Sequence, residues 1–385
     1  MTALITFELL RRLKQLSTWV YAALLFAGGA LAMAGNAGAF SGFSAGVGSE
    51  RIFANGPTSV FANQNLLALL GLFMVAAVFG QAGAQDFTTR TWPLIFTTRV
   101  RPRPYLAGRF LGAWIFSGLL FLAIPAGQLF AALAVSLLKT QHQLGPHRLD
   151  VYLWAWLVGV LPMLLVAGAL FFSLAALTRQ LAPVYVGVVV LVLGYLVLSS
   201  AVGNVENQRL GALADPFGFI TFDVVTRYWT PVERNSQLLP LSGLMLANRV
   251  LWLGVAAAGL GLTARRFRVT VDEHRGTPAN AEPPPPRAPA TPAPPSGRPA
   301  WLRTALSAGL LHFRDVLRSP VYWAFVCAGL LFVLLGIVVA KQIFGTATLP
   351  VTWQVLELAQ GTFSFFSLIT ITVYAGELVW KERDA

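Results

Sequence analysis

The chain has 385 residues, of which 56% are hydrophobic and 11% charged, and its formal net charge is +12. A soluble domain carries about 25% charged residues, so this balance excludes an ordinary soluble protein. Nucleic acid is excluded as a partner as well, because the arginines stand at the ends of apolar runs, where membrane topology accounts for them. Residues 5–17 predict an amphipathic helix, with Phe7, Leu10 and Leu13 on one side and Arg11, Arg12 and Lys14 on the other. Such a helix lies in the cytoplasmic interface of a membrane. Span 1 follows at 18–39, long enough for the roughly 20 residues that a crossing needs. The Gly/Ser/Asn-rich stretch from 40 to 65 suits the outside, and span 2 at 66–84 brings the chain back.

The segment from Asp86 to Arg109 then carries Arg90, Arg99, Arg101, Arg103 and Arg109 against one acid. Short arginine-rich loops stay on the cytoplasmic side, which fixes the orientation of the other spans. A helix-sized piece at 87–100 holds Phe87, Trp92, Leu94, Ile95 and Phe96, large groups suited to docking on a partner. The plainer reading is a solvated loop whose charges only set topology. Span 3 at 110–138 contains Pro125, which frees a carbonyl and kinks a helix. It opens on Gly108-x-x-x-Gly112, either a close helix contact or chance spacing in a Gly-rich protein.

Span 4 at 151–177 begins with Trp154 and Trp156 as interfacial anchors. Arg179 marks a tight inner turn, and span 5 covers 183–202. Residues 203–241 are an outer segment too apolar for a free loop, either a small folded cap or a half-inserted helix pair. In it Asp215-Pro216 reads as a turn start. Span 6 at 242–264 carries Arg249 near its outer end, where it either snorkels to water or faces a substrate. Arg265, Arg266 and Arg268 mark the cytoplasmic exit.

Residues 269–302 form a Pro/Ala-rich cytoplasmic linker, disordered by composition. Beyond it the beginning of the chain recurs. Leu306, Leu310, Phe313 and Leu317 face away from Arg303, Arg314 and Arg318 in a second interfacial helix. LRSPVYWAFVCAG (317–329) then aligns with LSTWVYAALLFAG (16–28), and Ala375-Gly376 with Ala82-Gly83. Spans 7 and 8 are expected at 321–340 and 355–375. Six spans precede the copy, so the repeats are parallel. The sequence stops where a third span of the copy is due, and it reads as part of a longer protein.

The chain has no G-x-x-x-x-G-K-[ST] to cradle phosphates and no H-E-x-x-H, and its G-x-S-x-G, Gly42 to Gly46, lies in the Gly/Ser-rich stretch after span 1 with no preceding strand. Its four histidines are scattered, so no metal site is expected. Gly259-x-Gly261-x-x-Ala264 sits at the end of a span without a preceding strand and is not a dinucleotide fingerprint. Glu357 and Glu377 lie near the ends of span 8, either as intramembrane functional carboxylates or at the headgroup boundary. Gln81 and Gln128 read as interhelical hydrogen-bonding groups.

An interfacial helix, six spans, a helix-bearing loop between spans 2 and 3 and a partly apolar outer segment together resemble the membrane half of an ABC-2 type exporter. DPFG (215–218), RYWTPVERN (227–235), ANRVLW (247–252) and YAGELVWKERD (374–384) resemble bacterial permeases with two such halves and a zinc aminopeptidase-like domain in the same chain. No peptidase motif is present here. The resemblance implies an all-α bundle with a first half at 1–268 and the start of a second at 303–385. It also implies multi-pass insertion in the bacterial inner membrane with both termini cytoplasmic, and no enzymatic activity of the chain's own. The partners it implies are an ABC ATPase subunit that binds the ATP and Mg, the lipid bilayer, and a second membrane half from the same chain or a homodimer. The coupling role then falls to Asp86, Phe87, Arg90, Trp92, Phe96 and Arg99, with Glu377, Trp380, Glu382 and Arg383 in the copy. Asp215, Pro216, Phe217, Gly218 and Arg249 would cap the pathway. An ion-coupled transporter, or an anchor for an attached peptidase-like domain, are the alternatives.

Overall fold

The computed structural model describes residues 2–39, 52–89, 91–93, 97, 101–137, 144–201, 208–267 and 301–318, with single positions between 322 and 371. Two compact units divide the chain, one built on residues 1–267 and the other on 268–333 and 350–385. Among the described residues all regular structure is helical. The first unit comprises α1 (Thr2–Leu13), α2 (Leu16–Asn36), α3 (Pro57–Leu70), α4 (Leu72–Thr88), α5 (Pro102–Phe121), α6 (Ala123–Leu137), α7 (Leu149–Ala155), α8 (Leu161–Thr178), α9 (Ala182–Ala201), α10 (Gln208–Ala214), α11 (Phe219–Thr226), α12 (Pro231–Ser236) and α13 (Gly243–Arg266). Among the described residues four helical stretches are long and apolar enough to cross a membrane: α2, α5 with α6, α7 with α8, and α13. The pair α3 and α4 makes a fifth if its 53° bend is counted within one span.

This unit exposes large apolar side chains and buries a set of polar ones beside its apolar core. Leu31, Leu119, Phe130, Val190 and Val250 are exposed, whereas Asn63, Gln64, Asn65, Ser117 and Gln128 are buried. In water such a surface would forfeit about 25 cal/mol for each Å² of apolar area left uncovered. In lipid it costs nothing, and polar groups instead gather inside, where they find one another. Gln64 Nε2 donates to Gln128 Oε1 and to the Tyr152 carbonyl, at 3.1 Å each. The interhelical role expected for Gln128 is thus present.

Helix α3 departs from the sequence expectation. Hydropathy places residues 57–65 in an outer loop, but they form a buried helix that starts with Pro57 in the first turn. The bend to α4 falls at Gly71, where a Cβ would lie 2.8 Å from the Phe121 ring, so only glycine admits that ring. Span 3 is likewise longer than expected, running from Pro102 to Leu137 with its break at Leu122. Pro125 has no N–H for the Phe121 carbonyl, which is the physical reason for a break there. Helices α2 and α6 pack backbone to backbone: a Cβ on Gly127 would sit 2.1 Å from the Phe26 carbonyl oxygen. A π-helical turn, Trp156–Val160, joins α7 to α8.

The segment expected to be outer folds, over its described residues, into the short helices α10, α11 and α12. Thr230 and Glu233 form a reciprocal capping box at the start of α12. The hydrogen bonds to Thr230 hold the Glu233 carboxyl below its usual range. Trp154 Nε1 donates to the Leu239 carbonyl at 2.8 Å, tying this segment to α7.

In the second unit, α14 (Trp301–Arg318) is a strongly amphipathic helix with Leu306, Leu310 and Phe313 exposed. Trp323 Nε1 donates to the Leu317 carbonyl at 2.8 Å. The first unit repeats that bond, Trp19 Nε1 to the Leu13 carbonyl at 3.1 Å, with the same six-residue separation. The linker and spans 7 and 8 lie outside the described residues as continuous elements.

Candidate functional site

Helix α1 turns its charged face inward. The sequence places Arg11, Arg12 and Lys14 away from the membrane, but Glu8 and Arg12 are buried and Phe7, Leu10 and Leu13 are the exposed face. The reason is a set of opposite charges on α4 and α5. Glu8 Oε2 accepts from Arg12 Nε at 3.0 Å and from Arg11 Nη2 at 3.4 Å. Its other oxygen accepts from Arg109 on α5. Arg109 in turn donates to Asp86 near the end of α4, and the Tyr105 hydroxyl donates to the same Asp86 oxygen. Arg12 reaches across to the Val78 carbonyl at 2.9 Å.

All five residues (Glu8, Arg12, Asp86, Tyr105 and Arg109) are less than a tenth exposed. Burial lowers the Arg12 pKa, and the Glu8 charge opposes that. Two acids and two arginines balance, which is the condition for keeping charges out of water. Gly112 makes the approach of α1 possible, since a Cβ there would lie 2.9 Å from the Glu8 Cβ. The glycine pair at 108 and 112 therefore opens a contact with α1, at least through Gly112.

The connection between α4 and α5 emerges from this cluster. Phe87, an expected partner contact, is half-buried and packs inside the chain. Its ring meets Phe267 at 6.1 Å, and the Arg179 guanidinium lies 4.8 Å over its centroid. Arg179 holds a left-handed backbone, φ 58°, to close the turn between α8 and α9. Trp92 and Pro93 are helical, and the Thr97 amide donates to the Pro93 carbonyl at 3.1 Å, one further turn. Arg101 and Arg103 are exposed. Arg90, Phe96 and Arg99 lie outside the described residues, as do Glu357, Glu377, Trp380, Glu382 and Arg383.

At the opposite end of α13 the second set of expected residues converges. Asp215 Oδ1 accepts from the Phe217 amide at 2.9 Å and Oδ2 from the Ile220 amide at 2.6 Å, capping α11. Burial raises the Asp215 carboxyl pKa, and these amides pull the other way. Asn248 Nδ2 donates to the Ala212 carbonyl at 2.7 Å and the Asp215 carbonyl at 2.8 Å. Trp252 Nε1 donates to the Leu213 carbonyl at 3.0 Å. Gly218, φ +87°, lies so close over Arg249 that a Cβ would come within 2.4 Å of its Nη2. Arg249 therefore points into the protein beneath this turn, and neither snorkels to water nor stands open to a substrate; its exposure is 4%. The two stretches DPFG and ANRVLW form one joint.

Sequence reasoning missed Glu8, Arg12, Tyr105 and Arg109 as site residues. The signal for Glu8 was present: it is the only acid before Glu50 and it stands among three cations. No family model matches the chain, and no curated protein or solved structure matches it either.

Proposed function

We propose that this chain is the membrane-spanning part of an ATP-driven exporter of the ABC-2 type, moved by a separate ATPase. The observation that carries the reading is Arg109 bridging Glu8 and Asp86 at the root of the connection between α4 and α5. A permease of this kind needs no catalytic constellation. It needs a cytoplasmic element that an ATPase can push and a stiff joint that passes the push to the spans. The connection from Phe87 to Arg101 is that element, with Trp92 and Phe96 to seat in a groove and arginines to orient on an acidic partner. The buried charges are the joint, because separating them exposes ions to a medium that cannot solvate them. In this reading α1 lies at the inner face of a bacterial inner membrane, the cap of α10–α12 lies outside, and a second membrane half completes the pathway.

The test is co-expression and co-purification of the full chain with a candidate P-loop ATPase. The Trp92→Ala, Phe96→Ala double variant should lose the ATPase while still inserting in the membrane. An ATPase retained at wild-type level by that variant would refute the reading. An ion-coupled transporter would instead move substrate in ATP-depleted vesicles.

A further inference from the structure

A cavity of about 450 Å³ opens between the end of α9 and the helices α10 and α11. Its size falls within the roughly 300–1,000 Å³ usual for small-ligand sites. Tyr195, Phe219 and Phe222 supply aromatic wall, and Asp223 and Arg227 supply opposite charges.

Those two charges stand four residues apart at the end of α11. An acid and an arginine at that spacing on an exposed helix ordinarily pair. Here they do not. Arg227 Nη1 donates to the neutral Gln208 Oε1 at 2.6 Å. Asp223, exposed, is in no ion pair among the described residues. Gln208 thus holds the guanidinium away from the carboxylate and leaves an anion and a cation, spaced apart, on the lining of one cavity. Such a lining complements a zwitterion. The apolar part of the wall, Ala62, Ile220 and Val224 with the aromatic rings, adds a place for hydrocarbon.

We propose that this cavity binds the headgroup of an aminophospholipid, its primary ammonium on Asp223 and its phosphate on Arg227. Arginine suits the phosphate because its planar fork gives two parallel donors. A carboxylate suits a primary ammonium, which has three N–H donors, and suits a quaternary one less, which has none. The proposal needs this end of α9 to reach a membrane surface. It does not need an ATPase, so its failure and that of the exporter reading are separable.

The test uses the purified full chain, stripped of lipid in a neutral detergent and titrated with phosphatidylethanolamine, phosphatidylcholine or phosphatidylglycerol, with binding read by native mass spectrometry. Phosphatidylethanolamine should bind at least about tenfold more tightly than the other two, the worth of a charge-assisted hydrogen bond. Asp223→Asn should remove that preference, Arg227→Gln should weaken all three, and Arg209→Gln should change nothing. Equal binding of the three lipids by the wild type, or an unchanged preference in Asp223→Asn, would overturn the proposal. Glycerophosphoethanolamine binding as tightly as the intact lipid would overturn the assignment to a lipid.

Discussion

Replacing Arg109 by Gln removes the cation that stands between two buried carboxylates. Glu8 keeps Arg12 and Arg11, but among the described residues Asp86 keeps only the Tyr105 hydroxyl as a side-chain partner. Breaking a buried pair by removing one partner costs about 3–5 kcal/mol. For a unit of this size that lowers the melting temperature by roughly 6–20 °C, at about 2–4 °C per kcal/mol. Glu8→Gln alone should cost a similar amount, because Arg109 still has Asp86 but the buried Arg12 loses its carboxylate. The decisive quantity is the coupling between the two substitutions. Residues in one ionic network couple by about 0.5–3 kcal/mol, and this pair belongs in the upper half of that range. Thermal unfolding of the single and double variants in detergent, followed by size-exclusion fluorescence, measures it. A charge swap, Glu8→Arg with Arg109→Glu, should not restore stability. The introduced arginine would face Arg11 and Arg12, and the introduced glutamate would face Asp86. Additive effects within about 0.5 kcal/mol, or full rescue by the swap, would refute the network.

Gly112→Val should push α1 off α5, with a cost of about 1–3 kcal/mol for overpacking; in that background the coupling of Glu8 to Arg109 should vanish, and its persistence would show that the contact at Gly112 does not set the approach. Gly127→Ala should be among the most damaging single methyl additions in the chain, since its Cβ would meet a backbone oxygen at 2.1 Å that has no rotamer to escape into; a melting temperature within a degree or two of wild type, roughly 0.5 kcal/mol, would contradict the packing of α2 on α6. Trp252→Phe removes the indole donor to Leu213 and should cost about 1 kcal/mol, with faster proteolytic nicking between 208 and 236; unchanged nicking would separate the cap from α13. Asp215 gives a pH signature. Its folded pKa is raised, so the folded state holds the proton more tightly than the unfolded one, and stability falls as pH rises from the usual carboxylate value of about 3.9 through the raised one. Relative to Asp215→Asn, the wild type should therefore lose stability across that window and level off above it; a difference that grows with pH would show that the capping amides outweigh burial.

What the sequence made legible was whatever depends on solvent. The cores of α2, α8, α9 and α13 fall where the apolar runs are, within a few residues, because lipid-length hydrophobicity leaves few other readings. Helix α3 was illegible for the same reason. Its first nine residues include Thr58, Ser59, Asn63, Gln64 and Asn65, and hydropathy assigns such a stretch to water. It is instead the inside of the bundle, where amides bond to amides. Asp86 and Arg109 stand out in the sequence as loop charges, but their function as a pair was hidden by Glu8. On α1 that glutamate lies four residues before Arg12 and reads as half of a surface pair. Its decisive partner is 101 positions away. The joint between Asp215 and Asn248 has the same character: both stretches are conspicuous, and only the fold shows that one bonds the other.

The inward charges of α1 settle how such a helix would behave under load. A helix held by its apolar face slides easily along a membrane surface, since hydrophobic contact has no direction. A helix held by Glu8 and Arg12 does not slide, because each hydrogen bond loses most of its strength when its angle falls below about 120°. With its apolar face exposed and its ionic face locked to α4 and α5, α1 must move with the root of the connection that follows Asp86. On the exporter reading this separates two functions that the connection could otherwise share. Trp92→Ala with Phe96→Ala should release the ATPase, whereas Glu8→Gln should keep the ATPase bound and its hydrolysis running while export falls. Both activities falling together in Glu8→Gln, in proportion to the loss of folded protein, would mean that the cluster serves only stability.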